Sequence, residues 1–360
     1  DVYKRQVRDA AADPSPHVLD ALTDEEWLAL GRPIDPAEPA SVRGDFPAEF
    51  EASLSRVFAD RRVEEMAAFA VRAPVGLRAN GLKADREKVM RALQRFDPKP
   101  GRFAPDAIVI DHPAGSGRTP NVEADPAHGK GGFEVQDEGS QIAALLSEAG
   151  PREQVLDLCA GAGGKTLALG AQLRNTGQIY AYDRDPKQLR PIFDRLKRAG
   201  VRNVQTVTPG DEEALLALGP RFDVVLVDAP CSGSGTWRRR PDAKWRVTAA
   251  NVAQRIEEQR AVLGLGRQLV RPGGRLVYVT CSILPEENID QVAWFLGQAA
   301  DFKIRPWPTG WERTIGGAVP QSADGREDTL LLTPCSHGTD GFFVASFEAC
   351  VGEGGGPARN

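Results

Sequence analysis

Short apolar runs bounded by turn residues recur through the second half of the chain: VLDL at 155–158, QIYAYD at 178–183, VQTVTP at 204–209, VVLVD at 224–228 and RLVYVT at 275–280. Stretches with helical spacing separate them. In DPKQLRPIFDRLKRAG, Leu189, Ile192, Phe193 and Leu196 fall on one face, Asp185 is a candidate N-cap, Pro186 the first helical residue and Gly200 the stop. Pro191 inside that stretch predicts a kink. FEVQDEGSQIAALL reads as a helix start with Asp137 or Ser140 as cap, and a long helix is expected from about 247 to 271. Alternation of strand and helix on this scale predicts a parallel sheet covered by helices on both faces.

The first part of the chain is patterned differently. Residues 1–45 are rich in Pro and Ala and loosely organised, with one helical piece, TDEEWLAL, that Thr23 can cap. From Pro47 the pattern turns helical through Phe50, Leu54, Val57 and Phe58. GLRANGLKADREKVMRALQRF then reads as strand, turn and helix, with Val89, Leu93 and Phe96 on the apolar face, and AIVIDH as another strand. This predicts a small α+β domain over 46–112. Its Arg78, Asn80 and Lys83 read either as ligand contacts or as solvent-facing, with solvent the expectation for each. A Gly- and Pro-rich linker is expected over 113–132, and a flexible tail over 350–360.

Composition narrows the class. The 360 residues, 41% apolar and 26% charged, are enough for about two domains. No apolar run reaches the roughly 18 residues that cross a bilayer. The chain opens on Asp1 without Met and without an apolar leader, which leaves room for an upstream domain. Cysteines 159, 231, 281, 335 and 350 are odd in number and form no CxxC, which points to free thiols in a reducing cytoplasm. The four histidines have no metal-ligand spacing, so no metal is expected. A net charge of −5 argues against a polyanionic partner, yet Arg238, Arg239 and Arg240, and the cluster Arg195, Lys197, Arg198 and Arg202, are locally basic. Each cluster reads either as a solvated face or as a contact to phosphates.

The candidate chemistry sits at strand ends. The turn Cys159-Ala160-Gly161-Ala162-Gly163-Gly164-Lys165-Thr166 lies between a strand and a helix. A P-loop would need Gly at 159, and a GxGxxG fingerprint counted from Gly161 would need Gly at 166, so both patterns fail by one residue. Asp183 ends the next strand, where a carboxylate suits ribose hydroxyls. A nucleoside without phosphates, S-adenosylmethionine, fits this turn; packing alone would also account for it. Asp228 ends another strand with Cys231 three residues on, and Cys281 ends a third. Two cysteines at neighbouring strand ends suggest thiol chemistry, against the alternative that each is buried and inert.

FEVQDEGSQ (133–141), VLDLCAGAGGKT, AYDRDPKQL, DAPCSGSGTWRRRPDAKW, YVTCSILPEEN and HGTDGFFVASF (337–347) together resemble, in order and over about 215 residues, the RNA cytosine-5 methyltransferases of the RsmB/Sun type. The resemblance implies an α/β, doubly wound, seven-stranded and mostly parallel methyltransferase sheet over 133–349, with a smaller N-terminal α+β domain. Its last strands would be DFKIRPW and GFFVASF. It implies that Cys281 attacks carbon 6 of a cytosine, that Cys231 assists elimination, that Asp228 contacts the cytosine ring, and that Lys165 stands near the reacting groups. Cys159, Ala160, Gly161, Ala162, Gly163, Gly164, Lys165, Asp183, Asp211 and Asp228 would line the S-adenosylmethionine site. Arg238, Arg239 and Arg240 would meet the RNA backbone, with ribosomal RNA as the substrate. Transfer RNA or another methyl acceptor, and a non-catalytic RNA-binding assembly factor, are the alternatives. Gly161-Ala162 replaces the family's usual Ala-Pro, which makes the turn more flexible, and PGDEEAL around Asp211 matches weakly.

Overall fold

The structure is a computed structural model that describes residues 23, 34–112 and 119–351; the TDEEWLAL helix and most of the tail lie outside the described residues. The apolar runs of the second half form one sheet. Its strands are β5 (Gln154–Asp157), β6 (Gln178–Ala181), β7 (Val204–Thr206), β8 (Phe222–Asp228), β9 (Val270–Thr280), β10 (Phe302–Arg305), β11 (Leu330–Leu332) and β12 (Phe342–Ala349). Seven strands run in the order β10-β12-β9-β8-β5-β6-β7, and β11 pairs with β12 as an eighth. The pairings from β7 through β6, β5 and β8 to β9 are parallel, and β12 is antiparallel to both β9 and β10. Val224 to Leu226 of β8 are fully buried, as expected of a strand covered on both faces. The strand order reverses between β5 and β8, so a crevice opens beyond their carboxyl ends.

Helices α4 (Glu138–Leu145), α5 (Gly164–Gln172), α6 (Ile192–Ala199), α7 (Ala249–Arg267), α8 (Ile289–Gln298) and α9 (Trp307–Thr314) belong to this unit. Asp137 is the cap of α4, accepting from Gly139 N at 2.8 Å. Pro191 breaks the chain rather than kinking it. One turn covers Pro186–Leu189, and α6 restarts with Pro191 at its N-cap, where a missing N–H leaves no bond unmade. The break also rephases the helix. Leu189 and Ile192 are buried, whereas Phe193, expected beside them, is 56% exposed.

A second, antiparallel sheet has the order β2-β3-β1-β4, built from β1 (Val75–Ala79), β2 (Lys99–Pro100), β3 (Ala107–Ile110) and β4 (Phe133–Val135). Helix α3 (Arg86–Ala92) lies against it through Val89. Phe133–Val135, the expected opening of the methyltransferase unit, pairs with β1 of this small sheet. The helices before it go the other way. Phe50, Leu54 and Phe58, from α1 (Glu51–Phe58) and its approach, and Met66 of α2 (Arg62–Ala68) join the core of the large unit, with Phe50 at 6.3 Å from Trp237. Lys244 Nζ donates to Asp45 Oδ2 at 2.6 Å and Ser53 Oγ to Glu286 Oε1 at 2.7 Å, so this segment backs the loops that follow β8 and β9.

The two sheets are joined by residues expected in solvent. Asn80 is buried, and its Nδ2 donates to Gly131 O and to Ala199 O, each at 2.8 Å. Gly131 has φ +75°, and a Cβ there would stand 1.9 Å from Arg198 O, so only glycine permits the approach. Lys83 Nζ donates to Arg198 O at 2.7 Å. Arg195 and Arg198 pair with the buried Glu134 of β4 at 3.0 and 2.7 Å. That part of the second basic cluster therefore holds the sheets together instead of facing solvent or phosphate.

Candidate active site

Register brings the two cysteine turns together. Asp228 of β8 pairs with Val279 of β9, and Ala229 N continues the ladder to Val279 O at 2.8 Å. Cys231, three residues past Asp228, and Cys281, next after Thr280, therefore leave adjacent strands on the same edge. Their Sγ atoms are 3.3 Å apart. Gly235 N donates to Cys281 O at 2.9 Å and ties the second half of one turn to the other.

A buried polar network holds both turns from below. Glu287 is 0% exposed and accepts from Ser232 N at 2.7 Å, Ser232 Oγ at 2.5 Å and Gln259 Nε2 at 3.2 Å. Gln259, on α7, also donates to Pro230 O at 2.9 Å. Asn288 Nδ2 donates to Ser282 O at 2.8 Å while its Oδ1 accepts from Thr280 Oγ1 at 2.6 Å. Burial pushes the Glu287 carboxyl up, and the bonds from Ser232 and Gln259 oppose that. None of these partners was singled out from sequence. Glu287 lies inside TCSILPEEN, but nothing in that string distinguishes a buried carboxylate from its exposed neighbours.

The hydrogen bond with Cys281 comes first, and burial second, in pushing the Cys231 thiol well above its ordinary range. Cys231 therefore keeps its proton, and the two thiols stand within hydrogen-bonding distance of one another. Lys165, in the first turn of α5, donates to Asp228 Oδ2 at 2.7 Å and lies 5.1 Å from the Phe342 ring centroid. The lysine is buried and the carboxylate one-third exposed at the crevice.

The Gly-rich turn lies across the crevice. Gly163, with φ +86°, caps α5, and a Cβ there would stand 2.5 Å from Ile192 Cγ1. Asp183, past the end of β6, accepts from Gly161 N at 2.8 Å and from Asp185 N at 2.9 Å, which closes the turn over the strand end. A Cβ at Gly161 would meet nothing within 4 Å, so this edge of the turn faces open space. An open backbone edge and a carboxylate at the neighbouring strand end suit the nucleoside part of S-adenosylmethionine, and Arg195 Nη1 braces the turn from outside by donating to Ala162 O at 2.9 Å. Cys159 lies in the same turn, where burial and then Asp183, Asp228 and Asp157 push its thiol well above its ordinary range. Asp211 accepts from Ala214 N at 2.8 Å as a helix cap, so one of its oxygens is committed away from the crevice. Asp157, not anticipated, is fully buried beneath the turn. Burial pushes it up to about 7, against a 2.7 Å bond from Thr166 Oγ1.

Of the three arginines, Arg239 and Arg240 are exposed and Arg238 is partly covered. Arg238 and Arg239 both pair with Asp340 and Asp137, Arg239 Nη2 standing 2.9 Å from Asp137 Oδ2. The Arg238 side chain is buried, because Asp340 needs a counter-charge where β12 begins. Arg240 is exposed. The same corner brings Gly235 and Gly341 backbone to backbone: Gly341 N donates to Gly235 O at 2.7 Å, and a Cβ on Gly235 would lie 2.1 Å from Gly341 O. Among the described residues no group of three or more His, Cys, Asp or Glu could hold a metal ion, and no helix is long and apolar enough to cross a membrane.

A methyltransferase-type sheet whose two central parallel strands each end in a cysteine turn defines a narrow class within the α/β proteins. Residues 144–348 match the model of the 16S rRNA methyltransferase RsmB/F family, and the chain belongs to that family. It is 34% identical over 278 residues to ribosomal RNA small subunit methyltransferase B of Shewanella oneidensis, covering 76% of this chain and 60% of that protein. The chain thus spans about 60% of the length of that curated relative. A methyltransferase homolog protein from Pyrococcus horikoshii superposes with a TM-score of 0.70 at 27% identity, covering 86% of this chain and 97% of the other. NSun6 from the same organism, solved with SFG, shares the fold at a TM-score of 0.72 and 22% identity, over 84% of this chain and 98% of its own.

Proposed function

We propose that the chain is an S-adenosylmethionine-dependent RNA cytosine-5 methyltransferase that acts on small-subunit ribosomal RNA through a covalent cysteine–cytosine adduct. The observation that carries this reading is the Cys231–Cys281 pair, 3.3 Å apart at the edge of the crevice. Family membership and the relative's name support the RNA and its ribosomal origin. The analogue of S-adenosylmethionine in the NSun6 crystal supports the cofactor. Five free cysteines suit a reducing cytoplasm.

Carbon 5 of cytosine is a poor nucleophile. The Cys281 thiolate attacks carbon 6, an S–C bond forms, and the electron pair displaced toward the ring makes carbon 5 enamine-like. Asp228, on the crevice side of Lys165, delivers a proton to the ring where that charge develops, and Lys165 positions the carboxyl group. S-adenosylmethionine supplies a methyl group on an electron-poor sulfonium. Once the Cys281 sulfur is bonded to carbon it no longer carries the charge that held the proton on Cys231. Cys231 then passes that proton to water in the crevice and becomes the base that takes the hydrogen from carbon 5, the carbon now bearing the methyl group. The S–C6 bond breaks as the ring double bond returns, and Cys281 leaves as thiolate. The target base must be unpaired or turned out of its stack to reach the pair.

Trapping tests the reading. Cys231→Ala, incubated with small-subunit ribosomal RNA and S-adenosylmethionine, should accumulate a protein–RNA adduct stable on a denaturing gel, and Cys231→Ala/Cys281→Ala should form none. Normal turnover by Cys231→Ala with no adduct would reject the division of roles.

A further inference from the structure

The loop that carries Cys231 is gripped where β12 begins. Gly341 N donates to Gly235 O at 2.7 Å and Gly235 N to Cys281 O at 2.9 Å, so Gly235 of that loop is tied both to β12 and to the other cysteine turn. Next to Gly341 stands Asp340, 2% exposed, which accepts from Nε of both Arg238 and Arg239. Asp137, the cap of α4, accepts from Nη2 of Arg239 at 2.9 Å and of Arg238 at 3.3 Å, and its other oxygen accepts from Asp340 N at 3.0 Å. Arg239 Nη1 donates to Pro74 O at 3.1 Å, just before β1. Every guanidinium nitrogen of Arg239 therefore has an acceptor, on three separate segments of the fold.

Two carboxylates and two guanidinium groups make this a closed set without net charge. Burial first, and then Asp137, push the Asp340 carboxyl up, and Arg238 and Arg239 oppose that. A buried carboxylate is costly without its partners, which holds the arginines to it. The geometric consequence falls on Cys231. Its turn is fixed at the start by Glu287 through Ser232, and at the far end by Asp340 and Gly341. Cys281 has supports of its own in Asn288 and strand β9. A misplacement of about 1 Å at a reacting group can cost roughly a hundredfold in rate. Loosening the far end of the turn therefore harms the step that uses Cys231 and spares the attack by Cys281.

We propose that Arg239 and Asp340 are positioning residues for Cys231: they hold its turn for the release step, and the RNA backbone is not their partner. The inference rests on the covalent reaction proposed above. It gives the small sheet a part in that step, since Arg239 reaches Pro74.

Steady-state methyl transfer by the full chain to small-subunit ribosomal RNA tests this. Arg239→Gln, at an exposed position, should lower kcat about tenfold without raising KM for the RNA, leave the salt dependence of RNA binding unchanged, and accumulate the protein–RNA adduct on a denaturing gel. Arg239→Lys keeps the charge without the planar fork and should show the same loss. Asp340→Asn should match both; if the buried Arg238 then prevents folding, the two Arg239 variants decide. A phosphate contact predicts a different pattern: in Arg239→Gln, KM rises, kcat holds and the slope of log affinity against log salt drops by about 1, and Arg239→Lys restores binding. That pattern overturns the proposal, as does a loss of kcat without adduct, or wild-type kcat in Arg239→Gln. Cys231→Ala, run alongside, separates the two readings. Adduct in Cys231→Ala with wild-type behaviour of the Arg239 variants rejects the positioning role alone. No adduct in Cys231→Ala rejects the reaction, and the positioning role falls with it.

Discussion

At the carboxyl ends of β8 and β9 in the large sheet, one polar network ties loop to loop: Glu287 with Ser232 and Gln259, Asn288 with Thr280 and Ser282, Lys165 with Asp228, while Gln259 Oε1 is left without a partner. Where the small sheet meets α4 and α5, Arg78 and Gln141 are buried as deeply and keep an unmatched atom each. The first arrangement fixes two sulfur atoms against one another, as bond-making chemistry requires. The second ties α4 to β1 through Gln141 Nε2 and Leu77 O, as a support requires. Both rest on the same joint, Asn80 and Gly131 against the end of α6.

The sharpest break in this comparison is Cys281→Ala. Removing the attacking sulfur should lower methyl transfer to RNA by a factor of about 10,000 or more, while calorimetry shows S-adenosylmethionine binding unchanged. Glu287→Ala comes next. It leaves Ser232 and Gln259 unpaired and frees the Cys231 turn, so turnover should fall about a hundredfold with adduct accumulating, because attack by Cys281 survives better than release. Full turnover in that variant would show that the network is packing only. Asn80→Ala strikes the joint. Two buried carbonyls lose their donor, and urea unfolding should show a loss of roughly 2–4 kcal/mol.

A comparable effect on stability is a pH dependence. Asp157 has a folded pKa of about 7 against 3.8 in the unfolded chain, so the folded state binds the extra proton between these values. Its contribution therefore falls as pH rises from about 4 to 7. Asp157→Asn should remove a decline on the order of a few kcal/mol. Parallel pH–stability curves for the two proteins would contradict the assignment.

The large sheet was legible because apolar runs, Gly turns and cysteines fall at periodic strand ends, and neighbouring parallel strands bring such ends together whatever the loops do. Three things were not legible. Pro191 reads as a kink in a continuous pattern, but whether the chain bends or restarts depends on what the first turn packs on. Arg238 and Arg239 read as a basic row, since Asp137 and Asp340, their partners, lie about 100 residues away on either side. Arg78 and Asn80 read as solvent-facing because a short polar-flanked strand gives no sign that a second sheet will close over it.

The contact between Gly235 and Gly341 has a consequence for when the protein becomes competent. The turn that carries Cys231 is completed by residues 338–341, about 100 positions later in synthesis. A ribosome that has translated both cysteines has still made only an unfinished crevice, with Arg238 and Arg239 lacking Asp340. A chain that stops short of β12 should therefore hold the Cys231 turn loosely, and the two cysteine turns take their final positions only with the arrival of the last strand.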